Sequence, residues 1–516
     1  MMNGAESLVR TLLASNVDVC FANPGTSEMH FVVALDRVPG MRCVLGLFEG
    51  VVTGAADGYA RMAGRPASTL LHLGPGLTNG MANLHNARKA RSSIVNIVGE
   101  HASDHLQYES PLRSDVPGAA ALASDWWRVG GAGHGIARDA ADAVTAARSQ
   151  DGQIATLILP ADTAWSPGGE PVAAAEPPAL ARASAEGMRR AVEALRSGRR
   201  CALLVTGRAL EEAGLPVVAR LAGAGIRVMA SQSNRRVARG RGRLVVPRVP
   251  FAVDQGVAGL AGLEVLILAG SHPPAAFFGY PGKPRMLTPA GCEIQALVEP
   301  GGDVLHALAW LADELGLPGM APLVPAAEAP TLPADGPLDA DNVMQTMAAM
   351  LPEHAILCDE SVSSGRSLFR FTDGAAPHDY LQITGGAIGS GLPMATGASV
   401  ACPDRKVVCF EGDGSGMYTL QALWTQARER LDVVTIILAN RSYRILQGEL
   451  KGVGIDQPGE QAHRMLDLVG PELDWVALAR GQGVDAVAVD TVSGLADAFR
   501  GACARRGPFL IEARIP

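Results

Sequence analysis

The sequence predicts an α/β protein with three doubly wound parallel-sheet domains. Short apolar runs rich in β-branched residues alternate with helical patterns along the whole chain, which is typical of layered strands and helices. These runs are apolar along their whole length, so helices are expected to cover both faces of each sheet. Two segments rich in Pro and Ala, residues 166–184 and 318–337, are interpreted as linkers between the domains.

Each predicted domain contributes several strands. The domains span residues 1–165, 185–317 and 338–516. The predicted strands are residues 68–73, 92–100 and 153–160 in the first domain, residues 201–207, 226–231 and 263–270 in the second, and residues 354–360, 406–414 and 433–440 in the third. Open parallel sheets bind their ligands at the carboxyl ends of the strands, and functional residues are therefore expected there.

The composition limits the class of protein and its partners. With 48% hydrophobic residues and a net charge of −8, the 516-residue chain lacks the basic character that nucleic-acid binding needs. Its one basic run, RRVARGRGR at residues 235–243, is predicted to be a solvated loop. Eight cysteines without a CxxC pair favour reduced thiols over disulfides or a zinc site. No apolar run reaches about 18 residues, which predicts a cytoplasmic protein without a membrane partner.

A turn with the sequence GDGS, residues 412–415, ends a predicted strand of the third domain. Backbone N–H groups at Gly414 and Ser415 lie near a predicted helix start, a place that favours an anion. Gly412 and Gly414 would let a bulky diphosphate approach the main chain. The carboxylate of Asp413 would repel a diphosphate unless a cation lay between them, and Mg²⁺ prefers such oxygen ligands.

Asn440 ends the next strand, 27 residues after Asp413, which is the spacing of one strand–helix–strand unit. Its amide oxygen is therefore expected at the same sheet edge, and the main-chain carbonyl of Ser442 could complete the protein ligands. Asp-Gly turns and strand-end Asn residues also occur in ordinary loops. The combination of both after buried strands indicates a site for a metal and a diphosphate.

These residues resemble the motif of thiamin diphosphate-dependent 2-oxo acid decarboxylases and carboligases, which runs from GDG to an Asn pair. In one departure, Ala439 replaces the first Asn, whereas Asn440 keeps the second, metal-binding one. The resemblance covers essentially the whole chain and implies a pyrimidine-binding, a central and a diphosphate-binding domain. The stretches FANPGTSEMHF, LFEGVVTGAADGYAR and GDGSGMYT are most similar to acetolactate synthase large-subunit-like proteins.

The resemblance implies further site residues in the first domain. Glu49 would bond the aminopyrimidine ring of the coenzyme and favour the tautomer that removes the thiazolium proton, although alone it could be a solvated residue at a helix start. Asn79 belongs to a GPG-x-TN pattern that would line the coenzyme. His72 and Thr26 lie where benzoylformate decarboxylase has an active-site histidine and a substrate-contacting serine. His72 is predicted to be a proton shuttle, with a buried structural histidine as the alternative.

Other positions depart from this pattern or extend it. Phe277 replaces the second histidine of benzoylformate decarboxylase, and the nearby His272 is expected to be structural. The Gly386 carbonyl would accept a bond from the coenzyme's amino group, and Ile388 would wedge between its two rings, although residues 384–393 could also be only a helix-entry loop. In this family the two coenzyme-binding domains of one site belong to different chains. That implies at least a homodimer, with a homotetramer expected.

The predicted function is decarboxylation of a 2-oxo acid with carboligation, dependent on thiamin diphosphate and Mg²⁺, as in acetolactate synthase. Two alternatives stay open: a non-ligating decarboxylase of the benzoylformate decarboxylase type, and a non-catalytic cofactor-binding paralogue. Some relatives bind FAD in the central domain and others do not. Here residues 201–214, CALLVTGRALEEAG, offer a strand, a Gly turn and a helix without a full GxGxxG fingerprint, which leaves FAD open.

Overall fold

Three sheets organise the chain in the computed structural model, which describes residues 2–131, 135–319 and 328–516. Almost all neighbouring strands run parallel, and the predicted α/β class is confirmed. Residues 166–184 form neither helix nor strand, as expected from their composition. Residues 320–327 of the second predicted linker lie outside the described residues.

The first sheet has six strands, all parallel. They are β1 (Val19–Asn23), β2 (Arg42–Leu45), β3 (Ala67–Leu71), β4 (Ile94–Glu100), β5 (Trp126–Val129) and β6 (Ile154–Pro160). Their order is β2-β1-β3-β4-β6-β5. The accompanying helices are α1 (Gly4–Ala14), α2 (Met29–Arg37), α3 (Glu49–Ala63), α4 (Leu73–Asn79), α5 (Met81–Ala90), α6 (Val116–Ala123), α7 (Gly135–Arg148) and α8 (Ala161–Trp165).

The central part of the chain forms a smaller sheet and gives one strand to the third. Its strands are β7 (Cys201–Val205), β8 (Arg227–Ala230), β9 (Val237–Arg239), β10 (Val265–Ala269) and β11 (Glu293–Val298). The central sheet is parallel, with the order β11-β10-β7-β8. Its helices are α9 (Ala185–Arg196), α10 (Leu215–Gly223), α11 (Val253–Gly259) and α12 (Val304–Glu314).

The third sheet has seven strands and carries the GDGS turn. Besides β9 they are β12 (Ile356–Glu360), β13 (His378–Gln382), β14 (Val407–Gly412), β15 (Val433–Ala439), β16 (Asp485–Val489) and β17 (Phe509–Arg514), in the order β16-β17-β15-β14-β12-β13-β9. Its helices are α13 (Ala340–Met350), α14 (Leu368–Phe371), α15 (Gly391–Ala401), α16 (Asp413–Gly416), α17 (Ala422–Glu429), α18 (Arg444–Gly452), α19 (Glu460–Arg464), α20 (Trp475–Gly481) and α21 (Val492–Cys503).

Side-chain caps fix where the leading helix of each domain begins. Asn3 accepts a hydrogen bond from the N–H of Glu6 at 2.9 Å before α1, and Ser184 accepts one from Gly187 at 3.0 Å before α9. Asp339 accepts one from Asn342 at 2.7 Å before α13. Each cap satisfies a backbone donor that the first helical turn leaves unpaired, so these three helices begin at defined residues.

The prediction that the basic run at residues 235–243 is a solvated loop is wrong. Its residues Val237–Arg239 form β9, which pairs antiparallel with β13 at the edge of the third sheet. Arg239 is buried, forms an ion pair with Asp373, and lies 3.4 Å from the ring centroid of Phe369. Burial lowers the pKa of Arg239 to about 10. The carboxylate and the ring compensate for the buried charge, and both lie far from Arg239 in the sequence.

Helices α3 and α15 join the first and third domains by direct backbone contact. A Cβ atom on Gly58 would overlap the carbonyl oxygen of Met394, and one on Gly397 would overlap that of Ala55. Around this crossing, buried apolar residues of both domains form one continuous cluster. The N-terminus of α3, at Glu49, is therefore held at a fixed distance from the third domain. None of the helices in the described residues is long and apolar enough to cross a membrane.

Replacing Gly397 by Ala should destabilise the protein, because the added methyl group forces α3 and α15 apart. Overpacking of this kind costs about 1–3 kcal/mol, which should appear as a lower melting temperature. The control is Gly501→Ala in α21, where an added Cβ meets no atom within 4 Å. That change should be neutral or raise stability by about 0.5–1 kcal/mol. Equal melting temperatures for the two variants would argue against the close crossing.

Candidate active site

The residues predicted to bind a metal meet at one edge of the third sheet. Strands β14 and β15 are neighbours, with Gly412 opposite Leu438, so Asp413 and Asn440 follow adjacent strand ends. Asp413 accepts hydrogen bonds from the N–H groups of Gly414 at 2.8 Å and Arg441 at 2.6 Å. The N–H of Ser442 donates to Asn440 Oδ1 at 3.0 Å. Asp413, Asn440 and Ser442 thus lie close together, and they offer oxygen atoms as possible metal ligands.

Asp413 is a buried carboxylate with backbone donors around it. Its exposed fraction is 4%, and burial raises the pKa of its carboxyl group. No ion pair with a basic side chain involves it in the part of the chain that the structure describes. Asn440 is fixed by its own donation to Ser364 Oγ at 3.1 Å. A divalent cation bound by these oxygens would offset the cost of burying the Asp413 charge.

The turn at residues 412–415 brings the backbone close to other groups. A Cβ atom on Gly414 would lie 2.5 Å from Cε1 of Tyr443, so a larger residue does not fit there. Ser415 Oγ donates to Glu411 Oε1 and to the carbonyl of Gly412. The helix expected after the turn is interrupted: α16 ends at Gly416 and α17 starts only at Ala422.

Two buried glutamates beneath this turn escaped the sequence analysis. Glu360 and Glu411 are opposite each other on β12 and β14. Glu360 accepts hydrogen bonds from the N–H groups of Gly389 at 2.8 Å, Ser390 at 2.7 Å and Gly391 at 2.5 Å. Burial raises the pKa of Glu360 to about 7 despite these donors, and burial with the neighbouring Glu360 raises the pKa of Glu411 further. At neutral pH the pair therefore retains a proton.

In the first domain the predicted Glu49, Asn79 and His72 lie together. Glu49 is the first residue of α3, is 7% exposed, and accepts a hydrogen bond from Asn79 Nδ2 at 3.0 Å. A Cβ atom on Gly76 would lie 3.3 Å from both Glu49 Oε1 and the Cβ of His72. Gly76 thus lies between Glu49 and His72, and no larger residue separates the two.

His72 is oriented by a carboxylate that the sequence analysis did not single out. Its Nδ1 lies 2.8 Å from Glu28 Oε2 and 3.3 Å from Ser27 Oγ. Glu28 is fully buried and also accepts a bond from the N–H of Gly25 at 2.7 Å. Because Glu28 engages Nδ1, Nε2 of His72 is left for other partners. The predicted contact residue Thr26 is exposed, and the neighbouring Ser27 makes the contact with the imidazole.

The loop at residues 385–389 places the other predicted coenzyme contacts. Gly386 has a φ of +79°, a left-handed conformation that favours glycine, and Ile388 is half-buried. The ring of Phe277 packs over this loop, since a Cβ on Gly386 would lie 2.7 Å from Phe277 Cζ. Phe277 is 53% exposed and so lines the solvent-facing side of the loop. His272 is also exposed. In the described residues, no hydrogen bond joins Glu49 to Asp413 within one chain.

Comparison with known proteins identifies the family. Two family models match, "Thiamine pyrophosphate enzyme, N-terminal TPP binding domain" at residues 2–120 and "Thiamine pyrophosphate enzyme, C-terminal TPP binding domain" at residues 363–513. The chain is 50% identical over 517 residues to "Putative acetolactate synthase large subunit IlvX" of Mycobacterium tuberculosis, covering 100% of this chain and 99% of that protein. The chain belongs to the thiamine pyrophosphate enzymes.

Two further proteins are similar over nearly the whole chain. "Benzoylformate decarboxylase" of Pseudomonas aeruginosa is 30% identical over 515 residues, with 95% of each chain covered. The solved structure "Rhodococcus jostii RHA1 thiamine diphosphate-dependent 4-hydroxybenzoylformate decarboxylase" has a TM-score of 0.85 and 25% identity, covering 100% of this chain and 99% of that one. The protein is therefore a thiamin diphosphate enzyme of the acetolactate synthase and benzoylformate decarboxylase type.

The residues of the site fit this coenzyme. Among the described residues the buried Asp413 carboxylate has no ion-pair partner, which a cation would supply, and Gly414 adds no side chain to the turn that would face a diphosphate. By contrast, the cavity of about 430 Å³ in the central domain borders Cys201 and Arg227, at the amino ends of β7 and β8. Open α/β sheets bind nucleotides at the opposite edge, so this cavity does not support FAD binding.

Replacing Glu411 by Gln should reduce the loss of stability with rising pH. A carboxyl group whose pKa is raised in the folded state stabilises the protein at low pH. That stabilisation is lost as the pH rises from the pKa of the unfolded state, 4.5, to the pKa of the folded state, which is about 7 for Glu360. Gln removes the like charge while keeping an acceptor for Ser415. Melting temperatures at about pH 5 and pH 8 should therefore differ less in the variant than in the wild type.

The control for this measurement is Glu353→Gln, which changes an exposed carboxylate of the same domain. It should keep the pH dependence of the wild type. The buried pair would lose its assigned role if Glu411→Gln and Glu353→Gln showed the same difference between the two pH values.

Proposed function

We propose that the enzyme uses thiamin diphosphate and Mg²⁺ to remove CO₂ from a 2-oxo acid, and that it releases the product as an aldehyde. The observation that supports this most is the contact of 2.8 Å between Glu28 and His72, with only Gly76 between His72 and Glu49. Release of an aldehyde needs a proton at the former carbonyl carbon, which an imidazole can supply near neutral pH. Glu28 fixes Nδ1 and thereby directs Nε2 of His72 to that task.

The other residues hold the coenzyme and its metal. Thiamin diphosphate supplies a carbon nucleophile and an electron sink. Glu49 would hold and return a proton at the pyrimidine nitrogen, and Asn79 keeps its carboxylate in place through the bond at 3.0 Å. Asp413, Asn440 and the carbonyl of Ser442 would bind Mg²⁺, which neutralises the diphosphate.

Four further predicted contacts complete this assignment. Gly412 and Ser415 would bring their backbone to the diphosphate, next to Gly414. The carbonyl of Gly386 and the side chain of Ile388 would support the folded coenzyme from the neighbouring loop. These two halves of the site would come from different chains, which makes a homodimer the minimum and a homotetramer the larger assembly. Leu47, two residues before Glu49, supports a contact between chains because 47% of it is exposed.

Carboligation is the second candidate, and Phe277 is the observation that favours it. The Phe277 ring occupies the position at which benzoylformate decarboxylase has its second histidine, and it packs over the loop at Gly386. Without that donor, transfer of the remaining fragment to a second carbonyl competes better with protonation. The 50% identical relative from Mycobacterium tuberculosis carries the name "Putative acetolactate synthase large subunit IlvX", which also supports this reaction.

Replacing Glu49 by Gln should abolish turnover while thiamin diphosphate still binds with Mg²⁺. Gln keeps the bond to Asn79 but cannot exchange a proton with the pyrimidine ring. Calorimetric titration of coenzyme and assays of CO₂ release measure the two effects separately. Glu186→Gln, at an exposed position of the central domain, should change neither. Normal turnover by Glu49→Gln would refute the role given to this residue.

Replacing His72 by Gln should slow aldehyde formation by about 10²–10⁴-fold, the usual contribution of a proton-transfer group. Coenzyme affinity should stay unchanged. The assay uses a panel of 2-oxo acids including pyruvate and benzoylformate, with products identified by mass spectrometry.

The exposed His30 provides a matched control, and His30→Gln should behave as the wild type. Aldehydes as main products support the decarboxylase, and acetolactate from pyruvate supports the carboligase instead. If the wild type released CO₂ from no 2-oxo acid of the panel, both proposals would be wrong.

A further inference from the structure

Asn83 contacts both parts of the chain that are assigned to the coenzyme. It lies on α5 and is 2% exposed. Its Nδ2 donates to the carbonyl of Gly50 at 2.8 Å, one residue after Glu49, and to the carbonyl of Gly389 at 3.0 Å, one residue after Ile388. A single amide group therefore links the start of α3 to the loop at residues 385–389.

A second asparagine holds Asn83 and the same loop. Asn86 Nδ2 donates to Asn83 Oδ1 at 3.1 Å and to the carbonyl of Ala387 at 2.7 Å. Asn86 Oδ1 accepts from the N–H groups of Gly385 and Ala387, both at 3.2 Å. Asn86 thus binds the loop and Asn83, whereas Asn83 reaches both the loop and α3.

The surroundings of Asn83 make its bonds hard to replace. A Cβ atom on Gly54 would lie 2.9 Å from Asn83 Nδ2 and 2.6 Å from the Cβ of Pro393, so the amide fills the gap beside the α3–α15 crossing. Loss of the donor would take one partner from the buried carbonyl of Gly50 and would leave the carbonyl of Gly389 with only the hydroxyl of Thr419, at 3.0 Å. A buried polar group that loses its hydrogen-bond partner costs free energy of folding. In a network of shared hydrogen bonds, the loss of one bond also weakens its neighbours.

We propose that Asn83 is a positioning residue that makes the start of the Glu49 helix and the Gly385–Gly389 loop move as one unit. The inference rests on the proposed function, because it takes Glu49, Gly386 and Ile388 as the coenzyme contacts. Asn83 itself touches neither reacting group. Within one chain, it fixes the position of the acid that would serve one coenzyme relative to the loop that would serve another.

The test compares the wild type with Asn83→Asp, which has the same shape but puts an oxygen where the donor was. Amide hydrogen exchange should become faster in residues 49–53 and in residues 385–391 together. The Kd for thiamin diphosphate with Mg²⁺, measured by calorimetry, should rise at least about tenfold. Asn83→Ala, which removes the donor without adding a charge, should show the same changes to a smaller degree, and it serves if the Asp variant does not fold.

The matched control is Asn96→Asp on β4. Asn96 is equally buried and bonded on both sides, to Thr69 at 2.8 Å and Thr156 at 3.1 Å, but within the first sheet alone. It should lower the melting temperature without changing coenzyme affinity or exchange at residues 385–391. Faster exchange in only one of the two segments of Asn83→Asp, or an unchanged Kd, would overturn the proposal. None of these readings needs a 2-oxo acid, so they are independent of whether the proposed reaction is correct.

Discussion

The backbone contact between α3 and α15 is the constraint on which the rest of the site depends. Gly58 and Gly397 let each helix press against a carbonyl oxygen of the other, at Met394 and Ala55. Helix α3 starts with Glu49, and α15 starts directly after the loop at residues 385–389. The crossing therefore determines how Glu49 lies relative to the loop at residues 385–389 of the same chain. Packed interiors shift little, so this relation is rigid.

Polar groups at the same junction add specificity rather than stability. Arg61 and Asp57 of α3 form a buried ion pair at 2.6 Å, and Arg61 also donates to the carbonyl of Gln382 at 2.7 Å and to Thr384 Oγ1 at 3.0 Å. A buried pair gains little net energy against an apolar replacement. The pair instead fixes the orientation of the Arg61 guanidinium group. Only one placement of residues 382–384 then satisfies all of its N–H donors. The fixed crossing and the directed bonds thus act on the same loop.

The sequence predicted those features that depend on local pattern. Uniformly apolar strands gave the α/β class, and the spacing of Asp413 and Asn440 placed them at adjacent strand ends, as the strand pairing shows. What it missed depends on partners distant in the chain. Glu28 is separated from His72 by 44 residues, and Arg239 from Asp373 by 134. From sequence alone, a charged residue such as Arg239 is expected to face solvent, because its partner Asp373 is distant in the chain. For this reason β9 was expected to be a loop.

The third domain gathers carboxylates where its strands end, and they are not equivalent. Glu360 has three N–H donors at the start of α15, whereas burial beside Glu360 raises the pKa of the Glu411 carboxyl group. Asp413 has only two N–H donors and no basic partner in the described part of the chain. Of the three, it is the one whose charge gains most from an added cation. A cation bound by the folded state alone would stabilise that state by mass action, and cation binding and folding of this domain would then be coupled.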